Sequence, residues 1–160
     1  MEIRRMEPHD ADEVARLYVK SWQAGYKGLL PQYYLDLLSP DRWKDKFAGL
    51  PGSFVLTDGG VIAGHSNARP AADEKMPGWG EVHTLYVLPE YWDRGFGTAL
   101  LDNSVQWLKK QGFDRIYLWA LNTNARARRL YEKYGFTATS DSLLCQAGGA
   151  EVTDIRYVLK

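Results

Sequence analysis

The sequence predicts an α/β protein, a single domain over residues 1–160 with a mixed central sheet flanked by helices. The chain has 160 residues, the size of one domain, and 45% of them are hydrophobic, so it can bury a core without disulfides. Strand-like and helix-like stretches alternate along its second half. Residues 81–121 contain a buried strand, then a long amphipathic helix, then another buried strand. This order predicts a right-handed crossover that joins two parallel strands.

The first half of the chain predicts one strand, several helices and a hairpin. EIRR is a short strand, and apolar residues at helical spacing follow Pro8 until the glycines of AGYKGLLP end that helix. PQYYLDLL predicts a second helix. PDRWKDKFAG predicts a third helical stretch, because Trp43 and Phe47 are four residues apart. SFVLTDGGVIAGHSNARPA predicts a hairpin, since a Gly59-Gly60 turn separates two apolar runs.

The second half predicts alternating strands and helices with clear ends. EVHTLYVLP is an apolar strand ended by Pro89, and a helix of about 15 residues then runs to Gly112. RIYLWAL is a strand of the buried kind. NARARRLYEKYG is a helix that ends at Gly135, and two last strands flank a Gly148-Gly149 turn. The predicted order is therefore strand, helices, hairpin, strand, helix, strand, helix, strand, strand.

Composition excludes several classes of protein. Lysine plus arginine equals aspartate plus glutamate, 20 of each, whereas a nucleic-acid binder normally carries a basic surplus. Cys145 is the one cysteine, so no intramolecular disulfide forms and a reducing compartment is expected. His9, His65 and His83 show no metal-ligand spacing, so no metal is predicted. Without a signal peptide or a membrane-spanning stretch, we expect a cytoplasmic protein with no nucleic-acid or membrane partner.

The stretch EYWDRGFGTALLDNSVQWLKK places two glycines where a helix begins. Free N–H groups and the helix dipole favour an anion there, Gly95 and Gly97 allow close approach of the backbone, and Arg94 adds a positive charge. A simple turn explains the glycines equally well. The loop lacks the Gly-Lys-Ser/Thr of a P-loop and the full glycine pattern of a dinucleotide-binding fold.

A second motif favours the anion site. LYVLPEYWDRGFGTALL and, about 30 residues later, NARARRLYEKYGF together resemble the GCN5-related N-acetyltransferase superfamily. The resemblance covers nearly the whole chain and includes the order of elements. It implies an acyl-CoA N-acyltransferase fold and an enzyme that moves the acetyl group of acetyl-CoA directly to a primary amine. Cys145 would then be a small residue in a late strand rather than a nucleophile.

The resemblance also implies which residues bind acetyl-CoA. The family's glycine-loop pattern falls on residues 92–97, but Trp92 stands where the family has glutamine or arginine, and Asp93 places a negative charge beside the expected phosphates. The departure puts affinity in question. Three arginines of the last helix are candidates for the adenosine 3′-phosphate, with no choice among them. The implied cofactor-binding residues are Leu85, Tyr86, Val87, Trp92, Asp93, Arg94, Gly95, Phe96, Gly97, Thr98 and Asn124.

Three residues are candidates for the chemistry. Glu81 and His83 lie two apart on the predicted strand and so on one face. Glu81, acting through water, is the preferred base, and His83 is the alternative because its ordinary pKa of about 6.5 suits proton transfer. In the family the strand splays from its neighbour and frees N–H groups that polarise the thioester. Tyr131 fills the family's tyrosine position as the acid that protonates the leaving thiolate.

The acceptor is the least determined part. The resemblance builds its pocket from the first helices and the last hairpin, with Trp22, Tyr26, Tyr33 and Tyr34 as candidate walls or core residues, and Asp36 and Asp141 as candidate partners of a cationic amine. A small-molecule amine is the default, and a homodimer is left open. The alternatives are a CoA-binding sensor or non-catalytic paralogue and an enzyme that binds nucleotide phosphates at the glycine loop.

Overall fold

The computed structural model describes residues 1–160 as one seven-stranded sheet with four α-helices. Two short 3-10 turns lie at Pro8–Asp10 and Pro40–Arg42, and a third at Pro89–Tyr91. The strands are β1 Glu2–Arg5, β2 Ser53–Asp58, β3 Val61–Pro70, β4 Gly80–Val87, β5 Ile116–Leu121, β6 Thr137–Ala147 and β7 Ala150–Leu159. The helices are α1 Ala11–Gly25, α2 Gln32–Asp36, α3 Phe96–Lys110 and α4 Ala125–Tyr134.

The sheet is mixed, as predicted, and runs in the order β1-β2-β3-β4-β5-β7-β6. Every neighbouring pair is antiparallel except β4 and β5, which are parallel and joined by α3. This parallel pair is matched at only two positions, Gly80 with Ile116 and Glu81 with Tyr117. Both strands continue beyond these pairs, to Val87 and Leu121, so they diverge and open a gap in the middle of the sheet.

Two apolar cores cover the two faces of the sheet. Val55 and Leu56 are neighbours on β2, so their side chains point to opposite faces, and they belong to different cores. Leu56 packs with Leu100 of α3, and α4 contributes to the same side through a cluster that includes Tyr131. Val55 packs with Tyr18 and other residues of α1 on the other side. The gap between β4 and β5 is thus enclosed by α1 on one face and by α3 and α4 on the other.

The prediction of a third helical stretch in the first half is wrong. After the 3-10 turn at Pro40–Arg42 the chain passes through turns to β2 and forms no α-helix. Trp43 and Phe47 are both buried, because their rings pack against Tyr18 with centroids 5.5 and 5.2 Å away. Burial of these two rings under α1 accounts for the apolar spacing, and a helix this short is unstable without such support.

The other predicted elements are confirmed with small differences in length. Helix α3 has 15 residues and ends before Gly112, whose φ is 97°. Helix α4 ends at Gly135, with φ of 127°, and the last two strands meet at Gly148 and Gly149. The second predicted helix is only the five residues of α2. None of the four helices combines the length and the apolar character that crossing a bilayer requires.

Candidate active site

A cleft of about 2000 Å3 follows the gap between β4 and β5. It continues from the loop before α3 to the β6–β7 hairpin, and the end of α1 forms part of its wall. Twelve of the fourteen predicted site residues line it, which brings distant parts of the sequence together. They are Glu81, His83, Leu85, Tyr86, Val87, Trp92, Asp93, Gly95, Gly97, Thr98, Asn124 and Tyr131.

The diverging part of β4 offers backbone donors to the cleft. The N–H of Leu88 bonds the carbonyl of Ala63 on the β3 side at 2.8 Å. Because N–H groups alternate in direction along an antiparallel pair, those of Leu85 and Val87 point to the other side, where β5 has moved away. These two N–H groups therefore face the gap without a strand partner. Such donors can polarise a carbonyl oxygen.

The glycine loop leaves the N-terminus of α3 open. Gly95 precedes the helix with φ of 81°, a left-handed conformation that favours glycine, and no side chain caps the first turn. A Cβ added at Gly95 would meet no atom within 4 Å, so the space in front of the helix is free. Asp93 is the one non-glycine residue with a positive φ, at 58°. The unpaired N–H groups and the dipole make this end of α3 an anion site.

Trp92 supports the loop from the position where the family has glutamine or arginine. Its Nε1 donates to the carbonyl oxygen of Val87 at 2.8 Å, which fixes the indole beside the gap. The guanidinium of Arg126, from the first turn of α4, lies 3.1 Å from the centroid of the indole. Burial lowers the pKa of Arg126, and the charge of Asp93 opposes that decrease. Nη1 of Arg126 is buried and has no hydrogen-bond partner.

Two predicted cofactor-binding residues lie outside the lining of the cleft. The guanidinium of Arg94 lies over the rings of Tyr91 and Phe96, 5.1 and 5.2 Å from their centroids. Phe96 is buried in the core beneath α3. Only the backbone of Phe96, as the first residue of α3, remains at the anion site. Sequence reasoning therefore identified the loop, while the arginine that stacks beside the loop comes from α4.

Glu81 is buried and held by an ion pair. Its side chain is 5% exposed, and Oε1 accepts hydrogen bonds from Nε of Arg69 at 2.8 Å and from the N–H of Ala72 at 3.4 Å. Oε2 makes no hydrogen bond within the protein. One oxygen of Glu81 thus anchors the loop after β3, and the other has no partner within the protein. Sequence reasoning missed Arg69, because strand register alone brings it opposite Glu81.

His83 sits at a β-bulge that the sequence did not show. Asn67 and Ala68 are consecutive on β3, yet they pair with Thr84 and Val82, so His83 is the extra residue on β4. Its side chain is exposed and makes no hydrogen bond, in contrast to that of Glu81. Partial desolvation lowers the pKa of His83, and the positive charges of Arg69 and Lys46 lower it further, while Glu81 opposes them. His83 is therefore a neutral, unpaired imidazole at neutral pH.

Tyr131 belongs to a group of three tyrosines at the centre of the cleft. It is 8% exposed, makes no hydrogen bond within the protein, and burial raises its pKa. The hydroxyls of Tyr26 and Tyr86 lie 3.1 Å apart, and burial raises the pKa of each. All three phenols are thus protonated at neutral pH. Tyr131 differs from the other two because its hydroxyl is free to donate to a ligand.

Asn124 caps helix α4. Its Oδ1 accepts from the N–H of Ala127 at 3.2 Å, and the residue also lines the cleft. The resemblance implies that Asn124 binds the cofactor. The structure shows the cap, and the contact with the cofactor's arm stays a prediction.

The acceptor side of the cleft is rich in charges that sequence reasoning did not connect. Arg156 on β7 is 6% exposed, donates from Nη2 to Asp73 at 2.7 Å, and has its Nε 3.2 Å from Asp141. Cys145 also lines the cleft, with Sγ 3.6 Å from Oδ2 of Asp154. Burial, followed by the charge of Asp154, raises the pKa of this thiol, so it stays protonated.

The predicted aromatic walls are mostly in place. Trp22, Tyr26 and Tyr34 line the cleft, whereas Tyr33 is 59% exposed and does not. Asp36 is an exposed partner of Gln32 on α2, 2.8 Å away, and is absent from the cleft. The structure brings no three His, Cys, Asp or Glu side chains together in a way that could hold a metal ion.

The fold is that of an acyl-CoA N-acyltransferase, with a cleft where its two parallel strands diverge. The model of the acetyltransferase (GNAT) family matches residues 11–136, and the chain belongs to that family. This membership confirms the predicted superfamily and the enzyme class, an acetyl-CoA-dependent N-acetyltransferase.

Similar proteins agree with this assignment. An uncharacterized N-acetyltransferase of Archaeoglobus fulgidus is 31% identical over 160 residues, covering 94% of this chain and 98% of the relative. The uncharacterized N-acetyltransferase YuaI of Bacillus subtilis is 30% identical and covers 76% of this chain and 72% of its own. The [ribosomal protein bS18]-alanine N-acetyltransferase of Escherichia coli is 32% identical, covering 59% of this chain and 64% of the relative.

A solved structure confirms the predicted fold. The PaiA N-acetyltransferase from Thermoplasma acidophilum, in complex with coenzyme A, superposes with a TM-score of 0.75 at 19% identity. The match covers 96% of each chain. Identity this low supports the fold and leaves the acceptor open.

Proposed function

We propose that the protein transfers the acetyl group of acetyl-CoA directly to the primary amine of a small molecule. The observation that carries the proposal is the gap between β4 and β5, where the N–H groups of Leu85 and Val87 face the cleft beside the open N-terminus of α3. The backbone N–H groups at the gap suit the carbonyl of a thioester, and the N-terminus of α3 suits a pyrophosphate. Acetyl-CoA contains both groups in one molecule.

The residues present fit acetyl-CoA. The free space before Gly95 and the unpaired N–H groups of α3 suit the pyrophosphate, and Asn124 lies where it can contact the pantetheine arm. Nη1 of Arg126 is a buried, unpaired donor on the indole of Trp92. Trp92 occupies the first position of the glycine-loop pattern and carries no charge. We propose that Arg126 supplies the positive charge there instead. Bound there, acetyl-CoA supplies an acetyl group activated as a thioester.

We assign the base to His83. Its imidazole is neutral and unpaired, so it can accept the proton of the attacking amine, whereas Oε1 of Glu81 is committed to Arg69. Glu81 acting through water remains the alternative, because its second oxygen has no partner in the protein. The N–H groups of Leu85 and Val87 polarise the thioester carbonyl, and each such donor contributes about 3 kcal/mol in comparable sites.

Tyr131 is the proposed acid. Its protonated hydroxyl has no partner within the protein and lies in the cleft, so it can donate its proton to the leaving thiolate. The protonated state of Cys145 favours direct transfer over a covalent enzyme intermediate.

The acceptor end of the cleft favours a small amine over a protein terminus. The β6–β7 turn packs on α2 so closely that a Cβ added at Gly148 would approach Cβ of Tyr34 to 2.6 Å. This contact joins the hairpin to α2 beside Tyr34 and Ala147, which line the cleft, and we infer that it restricts the room for a chain. The bS18 relative acts on a protein, so the preference needs a direct test.

The test is calorimetric titration of acetyl-CoA into the purified protein, followed by transfer assays with small amines and with short peptides. We expect saturable binding at one site, competition by CoA, no competition by ATP or NAD, and transfer to small amines in preference to peptides. Binding without transfer to any amine would favour the CoA-binding sensor. Competition by ATP or NAD would favour the nucleotide-binding alternative.

A further inference from the structure

A second cleft of about 710 Å3 opens beside the first, between β3, β4 and the segment from Arg42 to Gly52. We call it the basic cleft, because its charged lining residues are Arg42, Lys46 and Arg69 and it contains no aspartate or glutamate. Its volume lies in the range of small-molecule sites. It joins the main cleft at the residues that the two share, which are Trp22, Arg42, Arg69, His83, Thr84 and Tyr86.

The carboxylates near the proposed base are already neutralised. Glu81 is paired with Arg69, and Asp73 and Asp141 are both paired with Arg156. Each of these three carboxylates therefore has its negative charge balanced by an arginine, which leaves no uncompensated charge among them for a cationic group of the acceptor. Sequence reasoning had offered Asp141 for that purpose, and its partner Arg156 occupies it.

Two of the three cations of the basic cleft, Arg42 and Lys46, lack carboxylate partners, whereas Arg69 is paired with Glu81. Arg42 lies over the rings of Trp22, Tyr34 and Trp43, 5.1 to 5.6 Å from their centroids, and donates to the hydroxyl of Tyr34. These aromatic contacts hold the guanidinium in place and leave its charge uncompensated. Lys46 forms no ion pair. Its neighbour Lys44 lies 3.8 Å from Asp12 and is absent from the lining.

His83 connects the two clefts. It lines both, and three charged groups face it: Arg69 from β3, Glu81 from β4 and Lys46 from the segment before β2. Because His83 lines both clefts, one molecule can place its amine at this ring from the main cleft and a second group in the basic cleft. Uncompensated cations in a concave site concentrate anions there.

We propose that the acceptor amine carries an anionic group, a carboxylate or a phosphate, which binds Arg42 and Lys46 in the basic cleft while the amine reaches His83. The inference rests on the proposed acetyltransferase function and specifies its substrate class. In the reaction the amine nitrogen gives its proton to His83 and forms the C–N bond. The C–S bond breaks, and the thiolate takes the proton of Tyr131.

The test uses matched acceptors that differ only in the anionic group. An amino acid is compared with its amide, and an aminoalkyl phosphate with the corresponding amino alcohol, with rates corrected for the fraction of free amine. We expect the wild-type protein to favour at least one anionic member at least tenfold in kcat/KM, since a hydrogen bond to a charged group is worth about that factor. The acceptor pair with the larger ratio of kcat/KM values shows whether the anionic group is a carboxylate or a phosphate.

Variants of the basic cleft locate the effect. Lys46→Gln and Arg42→Gln should each lower kcat/KM for the anionic acceptor about tenfold more than kcat/KM for the neutral one. Lys44→Gln is the matched control and should change neither. Because Arg42 packs on Trp22, its variant is also checked by thermal unfolding. Lys46→Glu provides an independent test and should reverse the preference.

The outcomes separate the two proposals. Transfer to neutral or cationic amines as fast as to their anionic partners would overturn this inference and leave the acetyltransferase function intact. Equal effects of the Lys44 and Lys46 variants would also overturn it. No transfer to any amine, with acetyl-CoA still bound, would overturn the proposed function itself.

Discussion

The donor end and the acceptor end of the cleft are built in different ways. At the donor end the groups are local: a glycine loop, the first turn of α3 and the outer part of β4 supply backbone N–H groups within one stretch of the chain. At the acceptor end the groups come from distant parts of the sequence, as in the pair of Asp73 with Arg156, which are 83 residues apart. The backbone donors of the donor end therefore follow from local sequence, whereas the acceptor end depends on the complete fold.

The two ends also differ in how their charges are satisfied. Glu81, Asp73 and Asp141 at the acceptor end are paired with arginines. Arg126 at the donor end and Lys46 in the basic cleft form no ion pair. A paired group stabilises the protein, and an unpaired one is available to a ligand. The predictions below change one end at a time and ask whether the other responds.

The largest effect is expected for His83→Gln. Removal of a general base lowers the rate by about 10² to 10⁴, so kcat/KM should fall by that amount at pH 7. The affinity for acetyl-CoA, measured by calorimetry, should stay unchanged because His83 lies at the acceptor end. A loss of donor affinity together with rate would mean that the two ends are not separate.

Glu81→Gln is the companion variant for the base. The glutamine keeps the size of Glu81 and can still accept from Arg69, so the loop after β3 should stay in place. We expect a fall in kcat/KM smaller than that of His83→Gln. If the order of the two variants is reversed, Glu81 is the base and acts through water, as the sequence alone favoured.

Tyr131→Phe should lower kcat by about 10- to 100-fold, the lower part of the range for acid–base groups. The ring packs in the core beneath α4 and the lost hydroxyl has no partner in the protein, so stability should not decrease. The diagnostic measurement varies the leaving group. With an acetyl donor whose thiol is more acidic, the Tyr131→Phe variant should recover most of the lost kcat. Absence of such recovery would remove Tyr131 from the role of acid.

At the donor end, Arg126→Gln should weaken acetyl-CoA binding about tenfold, the effect of one charge-assisted hydrogen bond. Trp92→Leu should weaken it by a similar factor, because Arg126 loses the ring on which it lies. Both variants remove the stacking of Arg126 on Trp92. The double variant should therefore lose little more affinity for acetyl-CoA than either single variant. Arg94→Gln is the control, and its Kd should not change. Simple addition of the two losses would show that Trp92 and Arg126 act independently.

Comparison of dephospho-CoA with CoA then separates two roles of Arg126. If Arg126 binds the pyrophosphate, Arg126→Gln should weaken both ligands by the same factor. If the variant weakens only CoA, the guanidinium binds the 3′-phosphate instead.

The sequence predicted the fold and the positions of the glycine loop and of Tyr131 in the cleft for a physical reason. Strand and helix periods, the glycine that begins α3 and the Gly135 that ends α4 are local signals, and the motifs around Gly95 and Tyr131 are continuous stretches. The wrong helix at residues 40–49 shows the limit, because two aromatic side chains spaced for a helix were buried by α1 instead.

Contacts between distant strands lay beyond local signals. The partner of Glu81 is set by the register of β3, and the bulge at His83 is an extra residue visible only when the two strands are paired. The stacking of Arg126 on Trp92 requires α4 to lie beside the loop. The basic cleft likewise brings Arg42 and His83 together from distant parts of the chain, so no local motif predicts it.

The smallest expected effect is a shift in the pH profile of kcat/KM. This shift tests how the charges around His83 change its pKa. The base must be neutral, and burial with the charges of Arg69 and Lys46 lowers its pKa below the ordinary value of about 6.5. Activity should therefore persist to lower pH than for an unperturbed histidine. Lys46→Gln removes a cation and should move the acid limb of kcat/KM upward, whereas Glu81→Gln removes an anion and should move it downward.

Both shifts should be less than about one pH unit and should shrink in high salt, because screening weakens charges that solvent reaches. The acceptor should be a neutral molecule whose own amine has a low pKa, so that only the enzyme titrates over the measured range. Lys44→Gln, with its charge beside Asp12 rather than His83, should leave the limb in place. Shifts of the same sign for the Lys46 and Glu81 variants would mean that the limb reports another group, because opposite charges beside one imidazole must move its pKa in opposite directions.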